Sequence, residues 1–311
     1  MTLAAEPGAP SGQRKPKILC PRSFGGPTTS VQRVDDEALA VACEEVADAV
    51  AEAISRVEDP SAPGTRPGQY ALDLVADSAA LEVLDVLGVG VISEESGVTR
   101  PGAELVAVLD PLDGSTNASR GIPWFATSVC IVDAEGPRVA LVANQANGVR
   151  YRARRAGGAL RDGAPIAPTG CSDLADAIVG LSGYPSADLG WAQFRSLGAA
   201  SLDMCCVADG TLDAYAVVGS STLGCWDYMG AMLVCAEAGA VTADALGESA
   251  GKGLVDLDHG ARHAPLAAAT DALRRELGTA LALMRRGPAR QAVEESNSTY
   301  SSRTTARREH R

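Results

Sequence analysis

The apolar residues of this chain repeatedly change period, and that alternation restricts the fold more than any other feature. Leu39, Cys43, Val46, Val50 and Ile54 recur at helical spacing, which predicts an amphipathic helix that starts near Asp35 and ends before Pro60. A Pro/Gly-rich loop over 60–68 precedes a second helical pattern over 73–87. Two short apolar runs follow, Gly90-Val91-Ile92-Ser93 and Leu105 to Leu109, and both stop at carboxylates. Residues 129–133, 139–143 and 149–153 read as strands joined by turns, a meander. The rest reads as strand 177–181, helix 201–208, strand 213–218, helix 226–238, strands 241–243 and 266–269, and a helix over 271–286 stopped by Gly287-Pro288. Helices and sheets in this order predict a layered α/β fold in two lobes, about 35–170 and 171–286.

Both ends differ from this body. Residues 1–34 carry five scattered prolines and read as a flexible arm, and the Ser/Thr/Arg-rich stretch 287–311 reads as a disordered tail. The net charge of −12 is uneven: 1–34 and 285–311 are each +4, so the body carries −20. Such acidity excludes a general grip on nucleic acid, which needs Lys and Arg. A hydrophobic fraction of 46% excludes wholesale disorder. No apolar run reaches the roughly 18 residues that span a bilayer, and no charged-then-apolar leader opens the chain, so the cytoplasm is the expected compartment. Lysine occurs only at 15, 17 and 252, an Arg-over-Lys bias that suits a GC-rich bacterial genome.

Several chemistries are ruled out by residue type. The eight cysteines form no C-x-x-C pair, and none has Arg six residues later, which excludes zinc ribbons, thioredoxin-type redox sites and a phosphate-cradling Cys loop. They read as buried free thiols. His259 and His263 have helical spacing, but Gly260 and Pro265 oppose a helix there, so catalysis must run on carboxylates, hydroxyls and backbone.

Three acidic clusters sit at element ends: Glu94-Glu95, Asp110-Pro111-Leu112-Asp113, and Asp227 after Trp226. Taken singly, each has an ordinary reading: a solvated pair, a turn, a helix N-cap. No base stands near them in sequence, so together they call for a cation. Asp110 and Asp113 flank a rigid Pro with the Leu112 carbonyl between them, an all-oxygen set suited to Mg²⁺ or Mn²⁺. Gly114-Ser115-Thr116 adds a turn and hydroxyls where a helix starts, and free N–H groups there attract phosphate.

Ser93-Glu94-Glu95-Ser96, Asp110-Pro-Leu-Asp-Gly-Ser-Thr-Asn117 and Cys225-Trp226-Asp227 together resemble the inositol monophosphatase family of Mg²⁺-dependent phosphatases. The segments 195–205, Asp213-Ala-Tyr215 and Glu237-Ala-Gly239 extend the similarity over roughly 35–280. The resemblance implies a five-layer αβαβα sandwich of the inositol monophosphatase / fructose-1,6-bisphosphatase type. It implies metal ligands Glu94, Asp110, the Leu112 carbonyl, Asp113 and Asp227, with Asp73 as a further acidic ligand and Asp77 as its alternative. Catalytic roles fall on Glu94, Ser115 and Asp113, and substrate contacts on Gly114, Ser115, Thr116, Gly198 and Ala200. Two or three Mg²⁺ per site, with Mn²⁺ as substitute, would activate a water for in-line attack on a small phosphomonoester. A homodimer is compatible, although no exposed apolar stripe can be assigned to one.

The chain also departs from the family. Ser115 replaces the usual Thr, Leu72 replaces a Thr before the helix acid, and Met229-Gly230 replace two small residues after Trp-Asp. Between Tyr215 and Asp227, inositol-cleaving members carry a Glu that grips substrate hydroxyls, whereas residues 216–224 hold no acid. The phosphatase expectation is therefore firmer than the inositol one. Histidinol phosphate, a sugar bisphosphate or a 3′-phosphonucleotide are alternative substrates. A non-catalytic member binding RNA or protein through its basic ends is the alternative of another class.

Overall fold

The computed structural model describes residues 35–247 and 253–286. The expectations for the arms 1–34 and 287–311 lie outside the described residues.

Asp35 caps the first helix α1 (Asp36–Ser55) by accepting the Ala38 amide at 2.8 Å, and Asp36 and Glu37 complement the helix dipole. Its inner face buries Leu39, Cys43, Val46 and Val50. The second helix, α2 (Ala71–Leu87), packs beside it and stops at Gly88, whose φ of 75° is the left-handed cap geometry. Together they cover one face of an eight-stranded sheet.

That sheet comprises β1 (Gly90–Ser93), β2 (Gly97–Thr99), β3 (Val106–Asp113), β4 (Ala126–Asp133), β5 (Gly136–Asn144), β6 (Arg150–Arg154), β7 (Gly158–Arg161) and β8 (Ala164–Pro165). The order is β2-β1-β3-β4-β5-β6-β7-β8, with β1 and β3 parallel and every other pair antiparallel. Part of the body's acidity is matched here, because Arg150, Arg152 and Arg154 of β6 pair with Glu44, Asp48 and Glu37 of α1.

The second sheet comprises β9 (Ile178–Ser182), β10 (Gln193–Arg195), β11 (Ala214–Val217), β12 (Val241–Asp244) and β13 (Pro265–Ala268), in the order β10-β9-β11-β13-β12. Between the sheets lie α4 (Ala200–Ala208) and α5 (Met229–Ala238), and α3 (Ser115–Ser119) is one short turn. All nine residues of α4 are buried, the apolar ones and also Ser201 and Asp203 in its first turn. The outermost layer is α6 (Asp271–Arg286), which places Leu273, Leu277 and Leu281 on Val179, Leu181 and Leu266. The layers run helix, sheet, helix, sheet, helix.

Three expectations need correction. β3 does not stop at Leu109 but continues through Asp110 to Asp113, because Thr127 and Ser128 of β4 keep it paired or hydrogen-bonded. The helix read over 226–238 is broken. Cys225–Asp227 form a 3-10 turn, Tyr228 leaves helical geometry at φ −136°, and α5 begins only at Met229. Asp73 does not open α2 but sits in its first turn, accepting the Tyr70 amide at 2.8 Å. The short strands β2, β7, β8 and β10 have no periodic signal in the sequence, being two to four residues long.

Candidate active site

Parallel pairing of β1 with β3 sets Ser93 opposite Leu109, so Glu94, one residue past β1, comes beside Asp110, which stays within β3. The Glu94 amide completes that pairing by donating to the Leu109 carbonyl at 3.2 Å. From Asp110 to Asp113, β3 advances three residues while β4 advances two, from Ser128 to Ala126. This bulge is where the acids turn out of the ladder. Thr127 donates to the Pro111 carbonyl at 3.0 Å, and the Leu112 amide donates to Asp110 at 3.0 Å. Leu112 itself is buried, and its carbonyl belongs to the bulge. Asp227 arrives from the other side of the core, held in its 3-10 turn by accepting the Gly224 amide at 2.7 Å. Asp110, Asp113 and Asp227 each bring one oxygen within 4.8 Å of the other two.

Clustered like charges away from water favour protonation. Burial, then the charges of Glu95, Asp113 and Asp73, push the Glu94 carboxyl up to about 7. Burial raises Asp110 well above the carboxylate range, with Glu94, Asp113 and Asp227 adding to it. Asp227 is raised for the same reasons, by burial and then by Glu94 and Asp113. Asp113 is raised to about 6 by burial, although three donors oppose the shift. Those donors are the Ser201 hydroxyl, the Ser201 amide at 2.7 Å and the Ala200 amide at 3.3 Å, all in the first turn of α4. Among the described residues, none of Asp110, Asp113 and Asp227 makes an ion pair with a base. The donor set is all oxygen, its charges repel one another, and protons are already held there above their usual range. A hard divalent cation fits the oxygens that Asp110, Asp113 and Asp227 bring together.

The two candidates on α2 separate clearly. Asp73 is raised to about 6, chiefly by burial, with the nearby Ser115 side chain opposing the shift. Asp77 instead accepts the hydroxyls of Ser93 and Ser96. The expectation that no base stands near the clusters is corrected by Arg66, which pairs with Glu95 and donates to the Glu94 carbonyl at 3.1 Å. It lies 28 residues before Glu94, so sequence proximity could not reveal it.

Gly114 turns the chain from β3 into α3 at φ 85°, and a Cβ there would meet the Gly198 and Trp124 carbonyls at 3.0 Å. Only glycine fits both the conformation and the space. The main-chain N–H groups of Ser115 and Thr116 find no acceptor among the described residues. The Thr116 and Ser119 side chains stand near the Tyr70 hydroxyl and lower its pKa, and the Ser119 hydroxyl donates to the Thr116 carbonyl at 2.9 Å. Asn117 donates to the Trp124 and Leu197 carbonyls at 2.7 and 2.8 Å, seating α3 against Gly198. Ala200 meets Asp113 through its amide. The residues missed from the sequence are thus Arg66, Tyr70, Asn117 and Ser201. Of these, Asn117 lay inside the 110–117 motif and Ser201 inside the 195–205 segment of similarity, but neither was singled out as a site residue.

A profile of the inositol monophosphatase family matches residues 28–282. A fructose-1,6-bisphosphatase/inositol-1-monophosphatase of Archaeoglobus fulgidus is 35% identical over 192 residues, covering 60% of this chain and 74% of the relative. A bifunctional NADP phosphatase/NAD kinase of Methanococcus maripaludis is 31% identical over 219 residues, 60% of this chain and 38% of that one. The solved inositol monophosphatase of Anabaena (Nostoc) sp. PCC 7120 superposes with a TM-score of 0.66 at 21% identity, over 79% of this chain and 96% of its own, which shows the same fold. The chain belongs to the inositol monophosphatase family, whose members are metal-dependent phosphoric monoester hydrolases.

Proposed function

We propose that this protein hydrolyses a small phosphate monoester with Mg²⁺ and an activated water, without a phosphorylated protein intermediate. The observation that carries this reading is the convergence of Asp110, Asp113 and Asp227 within 4.8 Å beside the unpaired amides that open α3. When bound, Mg²⁺ would polarise the phosphoryl group and make water a better nucleophile at neutral pH. Glu94, Asp110, the Leu112 carbonyl, Asp113 and Asp227 hold the cations, and Asp73 is the outer ligand or charge partner. The Ser115 hydroxyl, close to Asp73, orients the attacking water. Glu94 accepts its proton, since a carboxyl pushed up to about 7 is matched to that task at neutral pH. The Gly114, Ser115 and Thr116 amides bind the phosphate, and Gly198 lines its seat. Mn²⁺ substitutes on the same oxygen donors.

Inositol phosphate remains the first substrate to try, with histidinol phosphate, a sugar bisphosphate and a 3′-phosphonucleotide beside it. The loop after β11 has no carboxylate to accept hydroxyl hydrogen bonds from a polyol. The seven described cysteines are free thiols, which supports a reducing compartment. The alternative of a non-catalytic binding member relied on basic ends that lie outside the described residues. Phosphate release across a panel of small monoesters with Mg²⁺ tests the proposal. Asp110→Asn should lower kcat at least about 10³-fold, as for removal of a central electrostatic group, and unchanged turnover would overturn the site.

A further inference from the structure

The segment 253–263 returns from β12 to cover Trp226, and it is fastened at several points. The Leu254 carbonyl accepts the Tyr228 hydroxyl at 3.0 Å, and His259 Nε2 lies 3.0 Å from the Ser93 carbonyl, next to Glu94. His263 pairs its main chain with Leu223 and its Nδ1 with Asp244 at 2.7 Å. Arg262 therefore stands on a fixed piece of backbone. Its guanidinium lies 5.0 Å over the ring of Trp226, the residue before Asp227. Nη1 donates to the His259 and Ala261 carbonyls at 2.9 and 2.8 Å. Nε and Nη2 donate to nothing among the described residues, and no described carboxylate pairs with this arginine.

The open Nε–Nη2 edge has the planar fork that takes two oxygens of a phosphate or carboxylate at once. Stacking on a nearly buried indole and two carbonyl contacts orient that edge before any ligand arrives. The adjoining loop, tied to this segment through Leu223, offers the hydroxyls of Ser220 and Thr222 on its exposed side and no acid. The amides that open α3, assigned above to the reacting phosphate, lie next to Gly198. An exposed cation close enough to favour the charged form of Asp227, with no carboxylate in hydrogen-bond contact among the described residues and one edge open, is then left for a different group on the same molecule.

We infer that Arg262 is a specificity residue that binds a second anionic group, so the preferred substrate is a phosphomonoester carrying a further phosphate or carboxylate. The inference rests on the phosphatase reading. Three matched pairs test it with the full chain and Mg²⁺: fructose 1-phosphate and fructose 1,6-bisphosphate, glycerol 2-phosphate and 2-phosphoglycerate, adenosine 2′-phosphate and adenosine 2′,5′-bisphosphate. In the pair turned over fastest, the native protein should show a KM about tenfold lower for the doubly anionic member. Arg262→Ala and Arg262→Gln should erase that ratio mainly through KM, and Arg262→Lys should recover part of it. Inhibition by inorganic phosphate should change far less than the ratio. Equal KM values within the native pair, or a loss shared equally by both members and by inorganic phosphate, would overturn the inference and leave the phosphatase reading standing. Absence of Mg²⁺-dependent release from every compound would remove that reading and the inference together.

Discussion

Asp113 commits both carboxylate oxygens to the first turn of α4 while facing Asp110 and Asp227. The helix amides and the Ser201 hydroxyl thereby orient a buried carboxylate that would otherwise be free to rotate. We expect Ser201→Ala to weaken Mg²⁺ affinity about 10-fold or more with little loss of fold, measured by calorimetric titration of the metal. Asp203, in the same first turn of α4, is a second buried carboxylate, and its Oδ2 has no hydrogen-bond partner among the described residues. The side chain accepts the Trp124 indole N–H at 2.8 Å and is raised to about 8, first by burial. None of these pairings is legible in sequence, because the partners are 79 to 88 residues apart. The residue types were legible, since carboxylates at the ends of apolar runs require either cations or protons.

At the scale of elements, the bulge of β3 and the turn into α3 do most to assemble the site. A continuous strand would send Asp110 and Asp113 to opposite faces, as alternation requires for residues three apart. The irregularity at Pro111-Leu112 brings both to one place. Gly114 completes the turn where no side chain has room. Gly114→Ala should cost about 1–3 kcal/mol for the left-handed backbone alone. The steric conflict with two carbonyls adds to that cost, so chemical denaturation should show a lower midpoint and lost phosphate release. Long helices were readable from spacing: α1, α2 and α6 fall where Leu39 to Ile54, 73–87 and 271–286 place them. Elements set by capping were not. Asp227 takes the Gly224 amide and so caps the start of the 3-10 turn, and Tyr228 at φ −136° separates that turn from α5, a local competition that periodicity does not register.

For the whole molecule, the acidic cluster acts as a clasp between elements far apart in the chain. Glu94 follows β1, Asp110 and Asp113 lie on β3, Asp113 holds α4, and Asp227 precedes α5. Its carboxyls are raised above their ordinary values of 4.5 for Glu94 and 3.8 for Asp113 and Asp73, so the metal-free native state holds protons the unfolded chain has released. That contribution to stability is complete below about pH 4 and is lost as pH rises through 6 to 7. Metal-free protein should therefore have a higher Tm near pH 5 than near pH 8. Mg²⁺ should reverse the order, because a cation replaces the protons and binds only the folded state. Saturation at about 100 times Kd adds about 2.7 kcal/mol, a rise of several degrees in Tm. Melting in chelator and in Mg²⁺ at the two pH values checks both signs.

Taken alone, the order of residues determined the helix and strand types, the carboxylate motifs and the family resemblance, because period and short motifs are local properties of a chain. The tertiary structure decided which acids meet, that Asp73 faces Ser115 while Asp77 serves Ser93 and Ser96, and that Arg66 reaches Glu95. It also decided that Arg262 stands over Trp226 with an open edge. These are contacts between distant segments. They follow from how the layers pack and from the cost of burying charge, neither of which a linear pattern records.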